Sequence, residues 1–150
     1  MMSGLPMTSI LSLLTMLMMM AEHASAANCG IETLKPRGNM LKVGGVGDVS
    51  LGAADDLARP MAWQGPMSAG TCSLDLGIIE APFMATSPGT VYVTTYSGAM
   101  RRVALVDLGA CKIRWQSKPF VGAVQADSAG LTLGKRRLSF NAQCAPQVRR

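Results

Sequence analysis

The sequence predicts an all-β domain: an antiparallel meander in a small sandwich or barrel-like domain that two disulfides staple together. Runs of β-branched and aromatic residues, bounded by glycine and proline turns, are typical of strands. No segment shows the apolar period of a convincing amphipathic helix. The chain has 4 cysteines, and an even number in an exported domain indicates two disulfides.

Residues 1–26 have the features of an export signal. The run from Ile10 to Ala21 is almost wholly apolar, and Ala24-Ser25-Ala26 offers the small residues that signal peptidase recognises. At about a dozen residues, the run is shorter than the roughly 20 residues that a membrane-spanning helix needs. We therefore expect cleavage after this tripeptide, with cleavage after Ala27 as the alternative. The product would be a single soluble exported domain over residues 27–150 with no membrane anchor.

The histidine content of the predicted mature domain excludes several kinds of catalysis. Glu22 and the one histidine, His23, lie in the leader, so 14 basic residues remain against 8 acidic ones, a net charge of +6. Without histidine, Ser-His-Asp and Cys-His catalysis and the common zinc hydrolase sites cannot form. The cysteines include no C-x-x-C pair, so we expect no metal site and no cofactor. The sequence predicts a protein that is not an enzyme.

Four cysteines can pair in three ways, and their spacing does not select one. We predict Cys29–Cys72 and Cys111–Cys144, because the N-terminal part and the C-terminal part would then each gain a covalent link. In the chain-entropy model each such loop contributes about 3–4 kcal/mol of stability.

The pattern of residues 28–70 is weak, because glycine and proline recur through it. Leu41–Val43 and Val46–Leu51 are predicted as short strands with a glycine turn between them. Ala53–Ala58 is predicted as one helical turn, with Asp55 and Asp56 near its start, where a carboxylate can cap a helix.

The clearest strand signals lie in the second half of the chain. Thr90–Tyr96 is a β-branched and aromatic run, Ser97–Met100 is a turn, and Arg101–Asp107 is the returning strand. In Cys111–Gln116 every second residue is apolar. This alternation predicts a meander with one face on a core and one face in water.

A basic run near the end of the chain offers an alternative function. Lys135-Arg136-Arg137 lies between the predicted strands Leu131–Leu133 and Leu138–Phe140, and Arg149 and Arg150 end the chain. These cations could attract an anionic cell-wall polymer or envelope surface, as in a periplasmic cell-wall-binding module. Nucleic acid is not expected as a partner, because the protein is exported and aromatic residues are sparse near these clusters.

One segment resembles a known family. Thr95–Ile113, together with Cys29, Cys72, Asp127–Gly134 and Cys144, is similar to periplasmic immunity proteins that neutralise type VI secreted peptidoglycan amidases, in the disulfide-bonded β branch. The similarity covers most of the mature chain in outline and is close from about residue 92 to residue 134. It implies a protein inhibitor that binds a cognate amidase effector and blocks its Cys-His active site with a loop between two strands.

The resemblance places the effector-binding loop at Ser97–Met100. The family loop is serine-rich, and a serine hydroxyl engages the catalytic groups, whereas Ala99 and Met100 stand in the corresponding positions here. Binding would then depend on Ser97 or on steric filling by Met100. The residues of the predicted effector-binding loop are Tyr96, Ser97, Gly98, Ala99, Met100, Arg101 and Arg102.

Within this set, the side chains suggest separate roles. Tyr96 and Met100 are the aromatic and adaptable residues that often carry binding energy. Arg101 and Arg102 could pair with acidic residues at the rim of the cleft and speed association. The alternative is that Ser97-Gly98 is only a turn and that the arginines protect a strand edge. A further alternative is an inhibitor of the same kind, exported and disulfide-braced, whose target is a lysozyme.

Overall fold

The computed structural model describes residues 28–147 as an antiparallel all-β domain, which confirms the predicted fold class. The predicted signal peptide and the C-terminal arginines lie outside the described residues. The described part of the chain has no helix that is long and apolar enough to cross a membrane. Its strands are β1 Glu32–Leu34, β2 Met40–Val43, β3 Gly47–Ser50, β4 Ala53–Ala54, β5 Ala62–Ala69, β6 Cys72–Ser87, β7 Thr90–Ser97, β8 Met100–Asp107, β9 Lys112–Gln116, β10 Val124–Ala126, β11 Gly130–Leu133 and β12 Arg136–Ser139.

The larger of two sheets is organised around β6, which is 16 residues long. The strand order is β2-β3-β5-β6-β7-β8-β9, and the short strands β1 and β4 pair with β6 and β5. On one edge of β6, the first half pairs with β5 and the second half with β1, while β7 pairs along the other edge. The register to β7 shifts between Glu80 and Phe83. β6 therefore passes from one layer of the fold to the next.

A first apolar core fills the space between β2, β3 and β5 on one side and β6, β7 and β8 on the other. Trp63 of β5 meets Phe83 of β6 edge-on, with ring centroids 5.5 Å apart. The disulfide Cys72–Cys111 links the start of β6 to the turn between β8 and β9 beside this core. The large sheet is thus folded over on itself in a sandwich-like arrangement. The core also contains Leu41, Val43, Val49, Leu51, Met67, Ile79, Val91, Val93, Ala104 and Val106.

A second apolar core lies on the opposite face of β7 and β8, where the sheet β10-β11-β12 covers them. Tyr92 is fully buried there, and its ring stacks on Phe140 with centroids 5.9 Å apart. The Tyr92 hydroxyl donates a 2.7 Å hydrogen bond to the carbonyl oxygen of Cys144. The disulfide Cys29–Cys144 closes this second core by joining the two ends of the described chain.

The predicted cysteine pairing is wrong. All 4 cysteines are paired, but as Cys29–Cys144 and Cys72–Cys111. The prediction assumed that each disulfide staples one part of the chain. The folded sheet instead carries the start of β6 to the β8–β9 turn, and the last strands return to the N-terminal residues, where the Cys29 N–H donates to the Ser128 carbonyl at 2.7 Å. Such disulfides form in oxidising compartments.

The strands predicted for the second half are confirmed, but their predicted burial is wrong. β7 and β8 match the predicted strands to within one residue at each end. All residues of 90–94 and 103–107 are buried, so neither face of this part of the hairpin meets water. The prediction considered the hairpin without the second sheet, which covers the face that was expected to be solvated.

The alternation predicted for the third meander strand holds only in part. Trp115 in β9 packs against the second core, but Ile113 is 41 % exposed. The register between β8 and β9 shifts between Leu105 and Val106, as at a β-bulge. A bulge re-aims the side chains beyond it, which explains how an apolar residue of this edge strand comes to face solvent.

The N-terminal predictions are partly confirmed. β2 and β3 form the predicted short hairpin, but the helical turn predicted for residues 53–58 is wrong. Ala53–Ala54 pairs with β5, and the Asp55 carboxylate accepts the backbone N–H groups of Met61 and Ala62 at 2.9 and 3.1 Å. Asp55 thus closes a loop rather than capping a helix. β5 and β6 had no sequence prediction, because glycine and proline interrupt both: Gly65-Pro66 in β5, and Gly77 and Pro82 in β6.

Candidate functional site

The predicted effector-binding loop is the tip of the β7–β8 hairpin. The strands are paired from Thr90–Asp107 to Ser97–Met100, and only Gly98 and Ala99 connect them. Gly98 has a φ of +62° and holds the first central position, as the two-residue type II′ turn requires. The residues from Ser97 to Met100 are exposed. The tip therefore projects from a regular hairpin with no loose connecting segment.

The register divides the predicted residues between the two faces of the hairpin. Tyr96 is opposite Arg101, and Ser97 is opposite Met100. Because side chains alternate along a strand and paired residues share a face, Tyr96 and Arg101 lie on one face. Ser97, Met100 and Arg102 lie on the other. The seven residues are continuous in sequence but do not form one surface.

The two predicted arginines differ in what they contact. Nε of Arg101 forms an ion pair with a carboxylate oxygen of Glu80 in β6. The backbone of Arg101 exchanges two 2.9 Å hydrogen bonds with Phe120. Arg102 is exposed and has no ion pair with any of the residues 28–147. Within residues 28–147, Arg102 therefore forms no ion pair, whereas Arg101 holds two segments of the fold together.

The base of the hairpin is fastened on the β8 side by the segment that follows β9. Ser117 donates its N–H to the Val103 carbonyl at 2.9 Å, and its hydroxyl accepts the Val103 N–H at 2.9 Å. With the Arg101–Phe120 bridge, these bonds hold residues 117–120 along the start of β8. Met100, which is 44 % exposed, and Val121, which is 64 % exposed, are the chain neighbours of this bridge. Two exposed apolar side chains therefore flank the Arg101–Phe120 bridge in the sequence.

A groove of about 470 Å³ lies between the hairpin and the first half of β6. Four of the seven predicted residues border it: Tyr96, Ser97, Met100 and Arg102. Its remaining walls are Leu76, Gly77, Ile78, Thr95 and Pro119. The residues from β6 and from the 117–120 segment were not predicted, because they approach the hairpin only through the folding of the sheet.

The basic run Lys135-Arg136-Arg137, which suggested the alternative cell-wall-binding function, is partly neutralised. Nη2 of Arg137 contacts both carboxylate oxygens of Asp127, at 2.6 and 2.8 Å. This hydrogen bond, with N–H groups from Ala129 and Gly130, holds the pKa of the Asp127 carboxyl below its usual value. Lys135 and Arg136 stay exposed. The cationic surface that the described residues offer here is therefore smaller than the sequence predicted.

Most of the described acidic residues act in turns or ion pairs. The N–H groups of Met61 and Ala62 lower the pKa of Asp55, and the N–H of Ala110 together with the Arg114 cation lowers that of Asp107. Within residues 28–147, no group of three or more histidine, cysteine, aspartate or glutamate side chains could hold a metal ion. The hairpin tip with its groove is the strongest candidate site in this part of the chain.

Comparisons with known proteins identify no relative of this chain. No family model, no curated protein and no solved structure matches the chain. The resemblance to amidase immunity proteins therefore stays a prediction.

Proposed function

We propose that the protein is a periplasmic inhibitor that binds a peptidoglycan amidase and blocks its Cys-His active site with the β7–β8 hairpin tip. In this role it protects the cell from a type VI secreted effector and catalyses nothing itself. The observation that carries the proposal is the contrast between an exposed two-residue tip and a hairpin base that is buried on both faces.

Rigidity makes such a tip suitable for blocking a cleft. Association is weakened by the entropy lost when loops and side chains become ordered, so a loop that is already ordered binds at lower cost. Here the turn has only Gly98 and Ala99 between paired residues. The base is packed between two cores, and each core has a disulfide beside it.

The chemistry of the tip points to steric blocking. Ala99 offers no hydroxyl, and the Ser97 hydroxyl is the one that this turn can present to catalytic groups. Met100 is unbranched and flexible, so it can fill an irregular apolar cleft. Occupation of the cleft by Ala99 and Met100 would exclude substrate without any bond to the catalytic pair.

The test is inhibition of purified Cys-His peptidoglycan amidases, beginning with any that is encoded beside the gene of this chain. The purified wild-type chain should slow release of peptidoglycan fragments at stoichiometric amounts. Ala99→Trp, a bulky change at the exposed tip, should weaken inhibition by at least about tenfold because the tip no longer fits. Ala142→Trp, an equal change at an exposed position distant from the tip in the sequence, is the control.

Three results would contradict the proposal. The first is undiminished inhibition by Ala99→Trp. The second is inhibition of a lysozyme but of no amidase, which would assign the tip to a different wall-cleaving enzyme. The third is sedimentation of the chain with purified peptidoglycan alone, which would favour the cell-wall-binding alternative. Deletion of residues 97–102 is a poorer test, because it also removes the contacts of Arg101 with Glu80 and Phe120.

A further inference from the structure

The groove between the hairpin and β6 gives the proposed inhibitor a second contact region beside its tip. We infer that this groove binds a segment of the partner protein that presents an apolar side chain next to a carboxylate, and that the carboxylate pairs with Arg102. The inference rests on the proposed function, since it concerns the same partner. It names the chemistry of the partner surface that surrounds the blocked cleft.

The shape and lining of the groove fit a protein segment. At about 470 Å³ it is large enough for one or two side chains. Leu76, Ile78, Met100 and Pro119 give it apolar walls. It also opens directly beside the tip, so a partner whose cleft receives Ala99 would bring the rim of that cleft onto the groove.

Charge selects an acidic occupant. Arg102 is the ionisable cation on the groove wall, and no aspartate or glutamate is among the residues that border it. Arg102 also has no ion pair with the described residues. Arg101 is different, because Glu80 neutralises it on the other face of the hairpin. A carboxylate in the groove would therefore meet one cation and no anion among the lining residues, and the neighbouring Asp75 carboxylate is already bonded to the Gly77 N–H.

The walls of the groove are held in place before any partner binds. On one side, the Ser97–Met100 pair and the two backbone bonds between Arg101 and Phe120 hold the hairpin and the residue after Pro119. On the other side, the Asp75 carboxylate accepts the Gly77 N–H at 2.9 Å and closes a local turn in β6. A partner segment can thus bind between surfaces that need little rearrangement, which favours affinity.

Two pairs of matched variants test the groove against the amidase that the wild-type chain inhibits. Arg102→Glu should weaken binding roughly 100-fold, because it places two anions together. Arg136→Glu makes the same change in net charge at an exposed residue of β12 and should weaken binding less than about threefold. Pro119→Glu should weaken binding about tenfold through repulsion of the same carboxylate. Pro119→Gln, of equal size but neutral, should change it less than about threefold.

Binding is measured by titration calorimetry at two salt concentrations, and thermal unfolding of each variant confirms the fold. The wild-type affinity should fall with added salt, whereas the affinity of the Arg102→Glu variant should not fall, because salt screens the repulsion between the two anions. Equal binding by Arg102→Glu and Arg136→Glu, or by Pro119→Glu and Pro119→Gln, would overturn the groove inference and leave the inhibitor proposal standing. Absence of binding by the wild-type chain to any Cys-His amidase would overturn both.

Discussion

The base and the tip of the β7–β8 hairpin share two continuous strands but have opposite environments. At the base, Tyr92, Val103 and Leu105 are at most 3 % exposed, and both faces pack on apolar cores. At the tip, Ser97 to Met100 are exposed, and no core covers either face. We therefore expect the buried base to contribute most of the stability of the hairpin. The exposed tip is held in position by the base and should contribute little stability itself.

This difference leads us to expect that mutations within one hairpin separate folding from the proposed binding. Substitutions at the base should change the free energy of unfolding, and substitutions at the tip should change affinity for the amidase. The predictions below test that separation, from the largest expected effect to the smallest.

The largest effect is expected from removing Cys29–Cys144, the disulfide beside the second core, which covers one face of the hairpin base. Cys29→Ser with Cys144→Ser opens a link between residues 115 positions apart, and the chain-entropy model gives a loss of about 5 kcal/mol. Cys72→Ser with Cys111→Ser, at a separation of 39, should cost about 4 kcal/mol. Urea unfolding measures both. If the Cys29–Cys144 link could be removed without loss of stability, the second sheet would not depend on it.

Leu105→Ala and Met100→Ala compare base and tip directly on the same strand. Leu105 is 3 % exposed, and its truncation should lower the free energy of unfolding by about 2–5 kcal/mol through lost burial and a cavity. Met100 is 44 % exposed, and its truncation should change stability by less than about 0.5 kcal/mol. We expect only Met100→Ala to weaken amidase binding at a temperature where both variants are folded. If Met100→Ala lowered stability and Leu105→Ala weakened binding, the separation of a stabilising base from a binding tip would be refuted.

Tyr92→Phe tests the polar contact that joins the base to the C-terminal segment. It leaves the carbonyl of Cys144 without its 2.7 Å hydrogen bond, and the loss of stability should be about 1–3 kcal/mol. Burial raises the pKa of the Tyr92 phenol, so above the ordinary tyrosine pKa of about 10 the unfolded chain releases a proton that the folded one keeps. Stability should therefore fall as pH rises past that value. Ultraviolet titration should show a late ionisation step that Tyr92→Phe lacks; an unchanged titration curve would contradict the assignment.

Gly98→Ala should cost less stability than the changes at the base, and it separates tip shape from tip chemistry. The φ of +62° disfavours alanine, although an added Cβ would meet open space, so the cost should be about 1 kcal/mol. Gly38→Ala is the matched control, because Gly38 has a φ of +59° and the same open surroundings in another turn. Both variants should lose similar stability, but only Gly98→Ala should bind the amidase more weakly. Equal binding by the two would count against a preformed tip.

The local features of the fold could be predicted from the sequence. The strand from Thr90 and the turn at Gly98 follow from β-branched residues, aromatic residues and glycine, and both are present. β6 could not be predicted in this way, because Pro82 and Gly77 interrupt it and its partners change midway. The helical turn at Ala53–Ala58 failed because Asp55 bonds to Met61 and Ala62 beyond it in the chain.

The residues of the candidate site also fall into two groups, those that the sequence predicted and those that it did not. The hairpin residues were found from sequence, since Ser97-Gly98-Ala99-Met100 is a local turn signal. Leu76 and Pro119 were not, because they reach the groove only through the folded sheet. Arg101 and Arg102 are alike in sequence, and their different roles depend on Glu80, which lies 21 positions from Arg101.

By itself, the sequence determined the all-β class, the β7–β8 hairpin and its exposed turn, because these depend on the conformational preferences of residues that are neighbours along the chain. Only the tertiary structure decided which cysteines pair, that both faces of the hairpin base are buried, and which of the two tip arginines forms an ion pair with Glu80. Those properties depend on contacts between residues far apart in the chain. Such contacts form only when the sheet folds over on itself and the C-terminal strands cover it.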